Sequence, residues 1–198
     1  MAINVLGVSG SMREESRSAR ALSIVLEAAR EQGAQTRLLD LRELDLPMYR
    51  PHGAAPTGSI IEAKEAVEWA DALVLATPDY HGSMAGAMKN FLDHHWTEFA
   101  GKVFGYLCGS HEKGLTAMDQ MRTVVRQCYG WSLPYGVAVN GDEDFDAEGR
   151  IKSNSANARL RMLGRDVAVY GAVLREQFAR DVASDASDTF VAKYRKKK

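Results

Sequence analysis

Residues 72–76 read Ala-Leu-Val-Leu-Ala, an apolar run without polar alternation that closes at Thr77 and Pro78. A strand with one wet face alternates; a run that is apolar throughout belongs in a sheet covered on both sides. Such sheets are parallel, because crossover connections are what lay helices over both faces. Residues 3–8 (Ile-Asn-Val-Leu-Gly-Val) carry a similar signal and stop at Ser9, Gly10 and Ser11. Around these two runs, strand and helix patterns take turns. A helix is expected over 16–32, where Ala19, Leu22, Val25, Leu26 and Ala29 recur at helical spacing and Gly33 stands in the terminating position. A strand follows over 35–41, a Pro- and Gly-rich loop over 45–59, and a helix to about 69 with Ser59 as its cap. Beyond 76 come a helix over 85–95, a strand over 103–108, a loop over 109–114, a helix over 115–129, a last strand within 133–139, an acidic turn over 142–149 and a long helix over 155–178. About five alternations of this kind pack economically in one way: a three-layer α/β sandwich, with a five-stranded parallel sheet between helices.

A chain of 198 residues is one domain's worth, so 1–198 is read as a single domain, with 179–198 as a C-terminal tail. Hydrophobic residues at 45% and charged residues at 26% are ordinary globular proportions. The formal net charge of -1 gives no general attraction to nucleic acid, and the basic run at 195–198 reads as a solvated end. Cys108 and Cys128 lack metal-type or redox-type spacing, and the chain opens with no secretory segment; a reducing, cytoplasmic location is expected. No apolar run approaches the roughly 18 residues that cross a bilayer, so membrane insertion is not expected.

In an open parallel sheet, ligands bind beyond the carboxyl ends of the strands where strand order reverses, which in the flavodoxin-like order lies between the first and third strands. The first of these loops runs Ser9-Gly10-Ser11-Met12-Arg13-Glu14-Glu15-Ser16-Arg17-Ser18 and opens into a helix. Hydroxyls and free N–H groups at a helix N-terminus, aided by the positive end of its dipole, suit a phosphate monoester without a metal. Arg13 and Arg17 can add charge-assisted bonds. Ser16 or Ser18 can equally serve as a plain helix cap, and Glu14 and Glu15 oppose an anion unless they point outward. The loop matches neither a Walker pattern nor a dinucleotide pattern, so a mononucleotide fits better than NAD. The second loop, Thr77 to Ser83, offers backbone amides and small residues beside Tyr80, a wall that could approach a flat ring such as a flavin and steady its charge on reduction.

With both loops in view, Gly10-Ser11-Met12-Arg13, Ser16, Ser18, Thr77-Pro78-Asp79-Tyr80-His81-Gly82-Ser83 and Lys89-Asn90 together resemble the NADPH-dependent FMN reductase family, over residues 3 to about 149. The resemblance implies a flavodoxin-like fold with bound FMN. It places Ser11, Arg13, Ser16 and Ser18 around the FMN phosphate, and Pro78, Asp79, Tyr80, His81, Gly82 and Ser83 along the isoalloxazine. Gly109, Ser110 and His111 would close the other side of the ring. This chain departs from the family pattern at Ser18 and His81, where Asn is usual, and at Asp79, where Glu is usual. The implied activity is hydride transfer from NADPH or NADH to FMN and on to a small acceptor such as a flavin, quinone, azo compound or metal oxyanion, in a ping-pong cycle. The implied assembly is a homodimer or homotetramer. No protein acid or nucleophile is required, so no catalytic side chain is assigned.

Other constellations read more plainly. Asp142, Asp144, Asp146 and Glu148 alternate as calcium ligands might, but Ala147 and Ser153 stand where an EF-hand needs Gly and Glu, which leaves a solvated turn. His94 and His95 point about 100° apart on a helix, so no metal is expected there. Cys108 reads as packed core. One rival function is a flavodoxin-type electron carrier that never meets a nicotinamide; such carriers are usually strongly acidic, and this chain is almost neutral. Another is a flavin-free protein that keeps the fold.

Overall fold

The computed structural model describes residues 3–51, 53 and 56–194. The basic run at 195–198 and positions 52, 54 and 55 of the long loop lie outside the described residues. In chain order the elements are β1 (Asn4–Ser9), α1 (Arg17–Glu31), β2 (Gln35–Asp40), α2 (Leu41–Leu44), α3 (Gly58–Trp69), β3 (Ala72–Tyr80), β4 (Ser83–Met84), α4 (Gly86–Asp93), β5 (Val103–Gly109), α5 (Leu115–Gln127), β6 (Trp131–Ser132), β7 (Val137–Val139), α6 (Gly141–Asp144) and α7 (Asn154–Ala183). Short 3-10 turns occupy Thr97–Phe99 and Phe190–Tyr194.

The strands pair in parallel in the order β2-β1-β3-β5, and β6 and β7 each pair in parallel with β5. Strand order reverses at β1 and β3, which run side by side from Val5↔Ala72 to Ser9↔Ala76. The five-stranded expectation therefore holds for the core, with two differences. The fifth rank is broken into β6 and β7 because Pro134 and Gly136 interrupt it, one lacking a backbone donor and the other a side chain. A short antiparallel strand, β4, is added to the end of β3.

β3 does not stop at Thr77. It continues to Tyr80, paired through Pro78↔Gly109 with β5, while its other neighbour β1 has already ended at Ser9. Pro78 thus sits where one edge of the strand is open, the place in a sheet that tolerates a missing N–H. His81 and Gly82, with φ of 58° and 73°, then reverse the chain into β4. Two consecutive positive φ values are what a two-residue type I′ hairpin requires.

Side chains alternate across β3 into two cores. Leu73 and Leu75 face α3, α4 and α5 with Leu6, Val8, Phe91, Phe104 and Met121; Ala72, Val74 and Ala76 face α1 and α7 with Val5, Leu22, Val25, Leu163 and Val167. The second face is built of small residues, so two helices can lie close to it. A methyl at Gly164 of α7 would stand 2.1 Å from the Val25 carbonyl of α1, and one at Gly105 of β5 would stand 2.8 Å from Val167 Cγ2. Both glycines mark helix approach that any larger residue would block.

Helix ends follow ordinary capping. Ser16 accepts from Ala19 N at 3.2 Å, and Gly33 at φ 82° ends α1, its N–H donating to Arg30 O. Ser59 does not cap α3: the cap position is Thr57, whose hydroxyl meets the Ser59 hydroxyl at 3.1 Å instead of a backbone N–H. α7 runs on to Ala183, beyond the expected end at 178, and the Phe190–Tyr194 turn folds back, with Phe190 stacked on Tyr129 at 6.0 Å. Of residues 179–194, the stretch to Ala183 is helical and Val191 is buried, while most of the others are exposed.

Candidate active site

At the end of β1 the chain is pinned against β3 by the Gly10 N–H, which donates to Ala76 O at 2.8 Å. A methyl at Gly10 would lie 3.0 Å from Met88 Cβ, so glycine lets this loop press into the sheet. The loop is then held by its own serines. Ser11 Oγ accepts from Arg13 N at 3.3 Å, and Ser16 and Ser18 share a hydroxyl hydrogen bond of 2.9 Å at the start of α1. Ser11, Ser16 and Ser18 are all buried. Ser16 is therefore a helix cap and a cavity residue at once. The Glu14 and Glu15 carboxylates are nearly fully exposed, 3.8 Å from Arg42 and 3.9 Å from Arg20, and Glu15 still borders the cavity.

The second wall is the extension of β3. Thr77 Oγ1 accepts from Ala85 N at 2.9 Å, fixing the return of the hairpin beneath it. The hairpin tip is tied away from the first loop, since Gln120 of α5 accepts from Ser83 Oγ at 2.8 Å and from Met84 N at 3.1 Å. The third wall is the loop after β5. Ser110 Oγ donates to Asp79 Oδ2 at 3.0 Å and accepts from Glu112 N at 3.0 Å, so one hydroxyl links the second and third loops. His111 is exposed, with Nδ1 4.0 Å from Asp142 Oδ2.

These walls enclose one cavity of about 530 Å³. Ser11, Arg13, Ser16 and Ser18 line it from the first loop, Pro78, Asp79 and Tyr80 from β3, and Gly109, Ser110 and His111 from the third. His81, Gly82 and Ser83 do not line it; they form the hairpin turn, and Ser83 instead borders a separate hollow against α5. Arg17, Glu15, Gly141 and Asp142 complete the lining. Sequence pattern leaves Asp142 in an acidic turn that reads as solvated and Gly141 between that turn and the last strand; their position just after β7, at the carboxyl end of a fifth-rank strand, is the signal that finds them.

Cys108 lies in the floor of β5, fully buried, with its thiol pushed up to about 12 by burial and secondarily by the Asp79 carboxylate. It stays protonated and packs under Gly114, where a methyl would come within 2.6 Å of Sγ. The acidic turn uses its carboxylates internally: Asp144 Oδ2 accepts from Asn140 N at 2.8 Å and Asp146 Oδ1 from Arg150 N at 2.7 Å. Among the described residues no three His, Cys, Asp or Glu side chains come together as a metal site. No described helix is long and apolar enough to cross a membrane.

The lining suits a phosphorylated flavin on its own chemistry. One end offers hydroxyls, two arginines and the N-terminus of a 15-residue helix. The β3 and β5 side offers strand-end backbone at Pro78, Asp79 and Gly109, the last without a side chain.

Comparison with known proteins agrees with this geometry. Residues 3–144 match the model of the NADPH-dependent FMN reductase family. An NADPH azoreductase of a Bacillus species is 29% identical over 143 residues, covering 70% of this chain and 79% of its own. An NAD(P)H-dependent FMN reductase of Pseudomonas aeruginosa is 29% identical over 169 residues, covering 80% and 90%. Among solved structures, FerB of Paracoccus denitrificans, an NAD(P)H:(acceptor) oxidoreductase, superimposes with a TM-score of 0.72 at 19% identity over 87% of this chain and 98% of that one. The fold, the cavity at the β1/β3 reversal and the match over most of its length place this chain in the NADPH-dependent FMN reductase family.

Proposed function

We propose that the cavity holds FMN with its phosphate among Ser11, Arg13, Ser16 and Ser18, and with its ring between Pro78, Asp79 and Tyr80 on one side and Gly109, Ser110 and His111 on the other. As a family member the chain is an FMN-dependent NAD(P)H oxidoreductase. The observation that carries the site assignment is the single cavity joining the first loop to both ring-side loops at the reversal of strand order. When bound, FMN supplies hydride acceptance from a nicotinamide and delivery to a second acceptor.

The chain's own residues bind and orient. The helix N-terminus and hydroxyls fix the phosphate end, and strand-end amides donate to the ring edge, where they steady negative charge. The Ser110–Asp79 bond keeps the two ring-side loops at a fixed separation. His81, Gly82 and Ser83 serve the ring indirectly, by closing the hairpin that aims Asp79 and Tyr80. The acceptor is a small oxidant of the flavin, quinone, azo or metal-oxyanion kind.

The two cores share one sheet, which supports reading the chain as a single FMN-binding domain. Met12 of the first loop, Tyr80 at the end of β3 and Leu115 at the start of α5 remain exposed, which favours a homodimer or homotetramer in which a second subunit covers them. Two buried, unbridged cysteines favour a cytoplasmic location. Anaerobic stopped-flow mixing of FMN-loaded protein with NADPH, then NADH, tests the function: rapid bleaching of the oxidised-flavin band is expected. Binding of FMN with no bleaching by either nucleotide would turn the assignment to an electron carrier.

A further inference from the structure

We infer that a second cavity, at the far edge of the sheet, binds a small organic ammonium ion, a protonated amine carried on an apolar or aromatic body. The fifth rank of the sheet is interrupted at Pro134 and Gly136, and a cavity of about 390 Å³ lies between that broken edge and α7. Such a volume is within the range of small-molecule sites. Trp131, Leu133 and Tyr135 line it from the broken rank, and Asp166, Tyr170 and Leu174, spaced four apart on one face of α7, line it from the helix. β6 pairs with Val103 and Phe104 at the amino end of β5, whereas the first cavity lies at Gly109, at the carboxyl end of the same strand. The two cavities share no lining residue.

Charge decides what such a cavity takes. Among its lining residues Asp166 is the one acidic or basic side chain, and it is only 13% exposed. Its Oδ2 accepts from the Tyr135 hydroxyl at 2.7 Å, and its Oδ1 pairs with Arg165 Nη1 at 2.6 Å. A carboxylate offers roughly four acceptor positions, so two protein donors leave room for a ligand's N–H. Arg165 is half-exposed and lies outside the lining, where water screens its charge. The Tyr135 phenol stays protonated, because burial and then its bond to Asp166 push its pKa up, so it adds no second negative charge. The other walls are apolar or aromatic, and Trp131 and Tyr170 remain half-exposed beside the carboxylate's helix. Aromatic rings attract cations, and an ammonium donates a charge-assisted bond to a carboxylate. A neutral body gains the apolar contacts alone, and an anion is repelled by Asp166.

The test is titration calorimetry with three probes that share a phenyl body and differ in charge: 2-phenylethylamine, protonated at neutral pH, 2-phenylethanol and phenylacetate. Each is titrated into the chain saturated with FMN, so that the first cavity is not the one being filled. The ammonium is expected to bind about 10-fold or more tightly than the alcohol, and the carboxylate more weakly than either. Asp166→Asn keeps the shape of the side chain and removes its charge; it should bring the ammonium to within about 2-fold of the alcohol while leaving the alcohol's affinity unchanged. If Asp166→Asn does not fold, the half-exposed Tyr170→Leu takes its place; it keeps an apolar wall without the ring and should reduce the ammonium's advantage several-fold. Equal binding of ammonium and alcohol by the wild-type chain would overturn the inference, as would an ammonium preference that survives the variant in full. Binding of none of the three probes would also overturn it, whether the cavity is closed in solution or covered by a second copy of the chain.

Discussion

His81 occupies a left-handed backbone position, φ 58°, in a turn whose other central residue is glycine. Histidine is tolerated there more readily than most residues, but asparagine fits type I′ turns better because its short side chain bonds locally. His81→Asn should therefore stabilise the fold by about 0.5 kcal/mol, a rise in Tm of roughly 1–2 °C for a chain of this size. A lower melting temperature would mean that the imidazole makes a contact outweighing the strain. His95 poses the opposite problem. It is buried, stacked on Phe99 at 5.3 Å, with Nδ1 2.8 Å from the Phe91 carbonyl, and burial pushes its pKa below the usual 6.5. The folded chain thus holds this imidazole neutral at pH values where the unfolded chain protonates it. Stability should be fully present above about pH 6.5 and decline as pH falls from there toward the depressed folded value, by at most about 1.4 kcal/mol per pH unit from this group. Urea unfolding at a series of pH values, compared with His95→Phe, should show a shallower acid slope in the variant; equal slopes would remove His95 as the cause.

Between elements, the tightest dependence is that of α1 on α7. Gly164→Ala would force a methyl to within 2.1 Å of the Val25 carbonyl and should cost about 1–3 kcal/mol. The same change at Gly58, in the first turn of α3 where nothing lies within 4 Å of the added methyl, should be neutral or stabilising by up to about 1 kcal/mol. Opposite signs in chemical denaturation would show that packing decides, and matching signs would show that helix propensity does. The elements readable in the sequence were those with long periodic patterns: α1, with its glycine stop, and the apolar β3. Those that escaped were short or set by distant partners. α2 is a single turn held by Asp40, whose side chain accepts from Arg42 N at 3.1 Å. The extension of β3 past Pro78 depends on β1 ending earlier, and the folding back of 190–194 depends on Tyr129 and Phe178. Local pattern carries neither fact.

At the scale of the molecule, the site was legible because topology alone fixes where loops meet: the loops after β1, β3 and β5 had to converge at one end of the sheet. What stayed hidden was direction along those loops. His81 to Ser83 follow Tyr80 in sequence, yet the hairpin carries them off the cavity, whereas Gly141 and Asp142, more than a hundred residues from the first loop, line it. Arg17, Ser16 and Ser18 hold α1 and the cavity together, and α1 in turn packs on both β1 and α7. A ligand bound at the start of α1 is therefore coupled to the whole fold. FMN that binds the native chain and not the unfolded one adds RT ln(1 + [L]/Kd), about 2.7 kcal/mol at a hundred times Kd. For a chain of this length that corresponds to a Tm rise of roughly 5–10 °C. The rise should grow with the logarithm of FMN concentration in a calorimetric or thermal-shift series. A Tm that stays constant across such a series, in a chain that unfolds reversibly, would mean that the native cavity does not hold FMN.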